Sequence, residues 1–248
     1  MSLVFNKLNS KVFSFGVVQF VVIVITLTNT QKTFIGCSKI GFFAMNWIKN
    51  YISRMYHNWS ETYVQRGQAD RAIDTSTKAL KLTPNYVTCY VDRGMAYMQK
   101  GDYTQAIQDF DYALKLPTIT RQEKAELYAR RGLAYFYMGD TSAAISDYNL
   151  AIFMVKSLSM VYVYRGIAEM SLDNHLAAIT DFNQAIHYDA DNFIAYRRRG
   201  DCYVKLGNIR AAIKDYWRYV EIGTLNTKQR DEICIRINQL QAQLFQTV

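Results

Sequence analysis

One cassette recurs four times in this chain. It reads Arg93-Gly94-Met95-Ala96-Tyr97 with Ala106-Ile107 and Asp109-Phe110, and then Arg131-Gly132-Leu133-Ala134-Tyr135 with Ala144-Ile145 and Asp147-Tyr148. It returns as Arg165-Gly166-Ile167-Ala168 with Ala178-Ile179 and Asp181-Phe182, and as Arg199-Gly200-Asp201-Cys202-Tyr203 with Ala212-Ile213 and Asp215-Tyr216. The four glycines stand 38, 34 and 34 residues apart. A fixed period of this size predicts stacked supersecondary units, because one helical hairpin cannot bury its apolar face alone. Within a unit the apolar residues form two stripes near helical spacing, for example Tyr90, Ala96 and Tyr97, then Ala106, Ile107, Phe110, Ala113 and Leu114. Gly101-Asp102, Gly139-Asp140 and Gly207-Asn208 separate the stripes where a helix must stop in a left-handed residue. Asp173-Asn174 fills that slot in the fourth unit, and Asp and Asn tolerate the geometry next best. The glycines at 94, 132, 166 and 200 are expected to face Ala106, Ala144, Ala178 and Ala212, with Phe110, Tyr148, Phe182 and Tyr216 filling the space beside them.

The pattern resembles the tetratricopeptide repeat family. A first, degenerate copy places Ser60, Tyr63, Gly67, Ala72, Ala79 and Pro84 in the small, aromatic, Gly, Ala, Ala and Pro slots. The resemblance implies an all-α, right-handed superhelical array of helix-turn-helix repeats at 53–86, 87–124, 125–158, 159–192 and 193–226. Glu169 replaces the tyrosine of the other units, which predicts looser packing there. Tyr219 stands where the last alanine should be, so a sixth repeat is not expected to stack. A capping helix over 227–246 takes its place, with Ile233, Ile237, Leu240 and Leu244 on one face and Arg236, Gln239 and Gln243 on the other. The second unit carries four extra residues, close to one helical turn, and Thr120-Arg121-Gln122-Glu123 fits a capping box. Arg93/Asp109, Arg131/Asp147, Arg165/Asp181 and Arg199/Asp215 repeat at one spacing. They read as structural ion pairs between the two helices of each hairpin, in preference to a ladder of ligand charges.

The formal charge of +8 belongs to the ends of the chain. Residues 1–60 hold six Lys or Arg and no acid, residues 61–192 hold thirteen against sixteen, and residues 193–248 hold ten against five. Residues 1–44 form a separate basic and apolar segment. Its uncharged run from Val12 to Gln31 is long enough to cross a bilayer as a helix. A membrane anchor, a cleaved signal peptide and an extension upstream of Met45 all fit that run. As an anchor, with Lys32, Lys39, Lys49 and Arg54 after it against Lys7 and Lys11 before it, it would leave the repeats in the cytosol. Cys89 and Cys202 occupy positions filled elsewhere by apolar or small residues and are expected to be core thiols. Neither forms a paired framework with Cys37 or Cys234.

Catalytic material is sparse. His57, His175 and His187 show no metal-ligand spacing with one another or with a cysteine. There is no Gly-rich phosphate loop and no Gly-x-Ser-x-Gly elbow. Neither an enzyme nor a bound cofactor or metal is expected.

The resemblance further implies that the first helix of each hairpin lines a concave groove. That assigns Val91, Met95 and Met98 of the second unit, Ala129, Leu133, Phe136 and Tyr137 of the third, and Val163, Ile167 and Met170 of the fourth to the groove. Such a lining suits an apolar peptide or helix of another protein. The family's chaperone-tail binders hold a carboxylate with Lys, Asn and Arg. Here His57, Glu61, Asp92, Glu126 and Arg130 occupy those places, which argues against that ligand. The competing reading is a basic face made by Arg197, Arg198, Lys205 and Arg210, contacting nucleic acid or an anionic membrane. No interleaved aromatics accompany it, so nucleic acid is the less expected partner.

Overall fold

The computed structural model describes residues 37–246, with side chains from Met45 to Phe245. Among the described residues there are eleven helices and no strand. Five antiparallel hairpins follow one another: α1 (Cys37–Gln65) with α2 (Ala69–Leu82), α3 (Val87–Lys100) with α4 (Tyr103–Lys115), α5 (Arg121–Met138) with α6 (Thr141–Met154), α7 (Ser159–Ser171) with α8 (His175–Tyr188), and α9 (Phe193–Lys205) with α10 (Ile209–Ile222). A final helix, α11 (Thr227–Gln246), closes the array against α10.

Helix α1 is 29 residues long and passes without a break through the expected start of the first repeat at residue 53. The apolar run at 12–31 lies outside the described residues. No helix among those described is long and apolar enough to cross a membrane.

The turns follow the residues predicted for them. Gly101 ends α3 at φ 78°, and Asp173 takes the same left-handed geometry at φ 59° after α7. The four-residue insertion lengthens α5 to 18 residues. Thr120 caps that helix: its hydroxyl accepts from the Glu123 amide, and the Glu123 carboxylate accepts from the Thr120 amide at 2.8 Å.

The packing within each hairpin differs from expectation in one respect. A Cβ added at Gly94 would lie 2.6 Å from the Phe110 ring, and one at Gly166 would lie 2.7 Å from Phe182. The glycines therefore make room for the aromatic ring sixteen residues on, and the facing alanine is a lesser contact. In the first hairpin this pairing of nothing with something large becomes a pairing of equals. Ser60 and Ser76 hold the corresponding positions and share a hydrogen bond in the core.

The Arg–Asp series joins the helices of the last four hairpins, and it does more. Arg93 donates from Nε and Nη2 to the two oxygens of Asp109 at 2.8 and 2.6 Å. The same fork holds Arg131 to Asp147, Arg165 to Asp181 and Arg199 to Asp215. The remaining Nη1 reaches back to the second helix of the preceding hairpin: to Thr77 from Arg93, Asp111 from Arg131, Asn149 from Arg165 and Asn183 from Arg199. Each guanidinium thus sits where three helices meet. The aspartates are almost fully buried, so both carboxylate oxygens need these donors. The hydrogen bonds to aspartate outweigh burial and hold the guanidinium pKa of Arg93, Arg131 and Arg165 above the ordinary arginine value.

Tyrosines cover the guanidinium faces. Arg131 lies 5.3 and 5.8 Å from the Tyr128 and Tyr135 ring centres, and Arg199 lies similarly between Tyr196 and Tyr203. Arg93 and Arg165 each have one such ring, Tyr90 and Tyr162, and at Arg165 the second tyrosine position is held by Glu169. Glu169 instead accepts from the Asn174 amide group at 2.9 Å, tying the end of α7 to the turn that follows.

The buried apolar residues fall into four clusters along the array. Cys89 is fully buried in the first and Cys202 in the third, and burial pushes their thiol pKa values up to about 12 and about 11. At the far end Tyr219, Val220, Ile233, Ile237 and Leu240 form the last cluster, so the bulky residue at 219 packs against the cap.

Candidate functional site

Two adjoining cavities open between the first helices of successive hairpins. The smaller, of about 210 Å³, is bounded by His57 and Glu61 of α1, Val91 and Asp92 of α3, and Glu126 and Arg130 of α5. The larger, of about 420 Å³, is floored by Met95, Met98 and Leu133, with Met160, Val161 and Tyr164 of α7 on its far wall. Glu126 and Arg130 line both, so the cavities form one groove running across α1, α3, α5 and α7.

Its electrostatics differ between the two halves. In the smaller cavity His57 Nδ1 and Asp92 Oδ2 lie 2.8 Å apart, joining α1 to α3. That hydrogen bond raises the imidazole pKa above its ordinary 6.5, against the opposing effect of burial. In the larger one Arg130 lies along the wall and donates to the Met95 sulfur at 3.1 Å. The larger cavity is mainly apolar, and Met side chains on its floor can repack around different guests.

Five of the expected groove residues line these cavities: Val91 the smaller, and Met95, Met98, Ala129 and Leu133 the larger. The other five lie elsewhere. Phe136 packs against the core around Tyr148. Tyr137 is 57% exposed and stacks on Tyr103 of α4, with ring centres 5.7 Å apart. Val163 is fully buried in a cluster with Ala195 and Cys202 of the next hairpin, and Ile167 and Met170 pack against that same cluster. Their inward positions are taken up by the neighbouring hairpin. Conversely, Leu158, Met160, Val161 and Tyr164 line the groove without having been singled out. Leu158 precedes the first residue of α7 and Met160 and Val161 lie in its first turn, where a helical-wheel argument has little hold.

Family models described as tetratricopeptide repeat match residues 87–116, residues 165–226, and residues 53–86 together with 125–152. The chain belongs to the tetratricopeptide repeat family. Among solved structures, a crystal structure of MamA is 26% identical, aligning 65% of this chain with 92% of that one at a TM-score of 0.56. PilF of Pseudomonas aeruginosa is 14% identical and aligns 81% of this chain with 95% of its own at 0.65. YrrB, described as a tetratricopeptide repeat protein with an unusual peptide-binding site, is 19% identical and aligns 68% with 84% at 0.52. The likeness to PilF and YrrB is one of fold. No curated protein matches the chain in sequence.

The basic residues of the last tetratricopeptide repeat are dispersed. The Arg197 guanidinium lies over the Tyr219 ring at 5.6 Å, and Arg198 is half-buried with Asp201 at 3.7 Å. Asp201 is also approached by Arg236 of α11 at 3.5 Å and accepts from the Tyr216 hydroxyl at 2.8 Å. Lys205 and Arg210 are exposed, and none of the four basic side chains lines either cavity. No group of three or more His, Cys, Asp or Glu among the described residues is placed to hold a metal ion.

Proposed function

We propose that this protein is a non-catalytic adaptor that holds an apolar segment of another protein in the groove between its first helices. The observation that carries the reading is the larger cavity, where Met95, Met98, Leu133, Met160 and Tyr164 present adaptable apolar surface on three successive tetratricopeptide repeats. Its dimensions suit side chains of a helix or extended strand laid along the groove. Peptide binding by a protein of the same fold supports the reading by analogy only. Residues 12–31 supply a tether in this proposal, which places the adaptor on a membrane with its repeats in the cytosol.

The experiment is partner recovery with the full chain and with Met98→Glu combined with Leu133→Glu. The double variant is expected to lose the partner and keep its helical circular dichroism, since a carboxylate in the occupied groove is stranded while in the empty groove it stays hydrated. Retention of the partner by that variant, with release by Arg197→Ala combined with Lys205→Ala, would move the site to the basic face. Extraction of the protein from membranes by alkaline carbonate would remove the tether from the proposal.

A further inference from the structure

The groove is charged at one end and apolar at the other. Around its α1 end stand the carboxylates of Glu61, Asp92, Glu123 and Glu126, opposed by Arg130 and His57. Asp92 is engaged with His57, Glu123 with Thr120, and Glu126 with Gln122. Glu61 is exposed beside them and contributes its charge to the His57 site. The apolar floor begins where these acids end, since Glu126 belongs to both halves.

An apolar segment entering the groove would strip water from this rim, where four carboxylates face only Arg130 and His57, at a cost that a countercharge arriving with it would offset. Building on the groove reading above, we infer that the partner segment carries a Lys or Arg beside its apolar anchors, its cation toward α1 and its anchors toward α7. The polarity of the groove then fixes the direction in which the segment lies. A segment presenting a free carboxylate or a glutamate at that end is rejected by like charge.

The test uses the full chain and three synthetic peptides sharing one Leu- and Met-rich stretch, tipped at the same end with two lysines, two serines or two glutamates. Fluorescence anisotropy at low salt is expected to rank lysine above serine above glutamate, with about tenfold between first and last. That ratio should shrink as salt is raised. Glu61→Lys with Glu126→Lys is expected to reverse the order. Equal affinity for the three peptides, or an order the charge reversal leaves unchanged, overturns the cationic inference. The groove reading survives that outcome if Met98→Glu with Leu133→Glu still weakens all three. If the lysine peptide stays bound to that apolar-floor variant and only charge reversal releases it, the groove reading falls and the cation site stands. No binding of any peptide overturns both.

Discussion

Arg131 grips Asp147 across one hairpin with two parallel hydrogen bonds, Nε to Oδ2 at 2.8 Å and Nη2 to Oδ1 at 2.7 Å. Its third donor group goes to Asp111 in the hairpin before. The separation of Arg131 from Asp111 is twenty residues, against sixteen for Arg165 from Asn149 and Arg199 from Asn183. The four inserted residues of the second repeat account for the difference, so one added helical turn leaves the junction intact.

Removing the guanidinium strands a buried carboxylate. Arg131→Met is expected to lose about 3–5 kcal/mol of stability in urea unfolding. Arg131→Met with Asp147→Leu should lose less than the single change, because the charge goes with its partner. Recovery should be partial, since the link to Asp111 is gone in both. Strictly additive losses would show that the pair does not act as a unit.

The glycine and the aromatic ring are expected to behave as one volume. Gly166→Ala puts a methyl 2.7 Å from Phe182 and should cost about 1–3 kcal/mol. Combined with Phe182→Leu, the alanine should cost less than it does alone. A melting midpoint unchanged by Gly166→Ala would mean that the ring moves aside freely.

The repeats separate Phe from Tyr at one buried position, and the hydroxyls fare differently. Tyr216 donates to Asp201, while the Tyr148 hydroxyl finds no protein partner among the described residues. Tyr148→Phe should leave thermal stability unchanged or raise it, and Tyr216→Phe should lower it by about 1 kcal/mol. Equal losses from both would contradict the difference.

His57 supplies a pH-dependent link between α1 and α3. Its folded pKa is raised above 6.5 by the hydrogen bond to Asp92, so the imidazolium is favoured by folding. The stabilisation is fully present below the unfolded value and is lost as pH rises through the raised folded value. NMR titration of the ring should give a midpoint above 6.5 that falls in Asp92→Asn. A midpoint that does not move on that substitution would assign the shift to other groups.

Much of this was readable from residue order. The Gly, Ala and aromatic spacing fixed helices and turns because those residues answer to local geometry: Asp173 is left-handed for the same reason as Gly101. The Arg–Asp pairs were readable because the spacing carries one helix of a hairpin onto the other. The backward reach to Thr77, Asp111, Asn149 and Asn183 was not, since it depends on how one hairpin is rotated against the next. That rotation also divides the groove residues. Leu133 lines the cavity, whereas Val163 is enclosed in a cluster with Ala195 and Cys202 of the following hairpin, although both were expected on the inward side of a first helix.

A fan pinned at its handle can still spread at its edge. The guanidinium junctions fasten α3, α5, α7 and α9 each to two second helices, so the pins lie on the side away from the groove. Small rotations about that fastened line would change the width of the opposite face without stretching the guanidinium–aspartate contacts. In the proposed adaptor the gap between α3, α5 and α7 is then the dimension a guest would set, with Met95, Met98 and Met160 lining it.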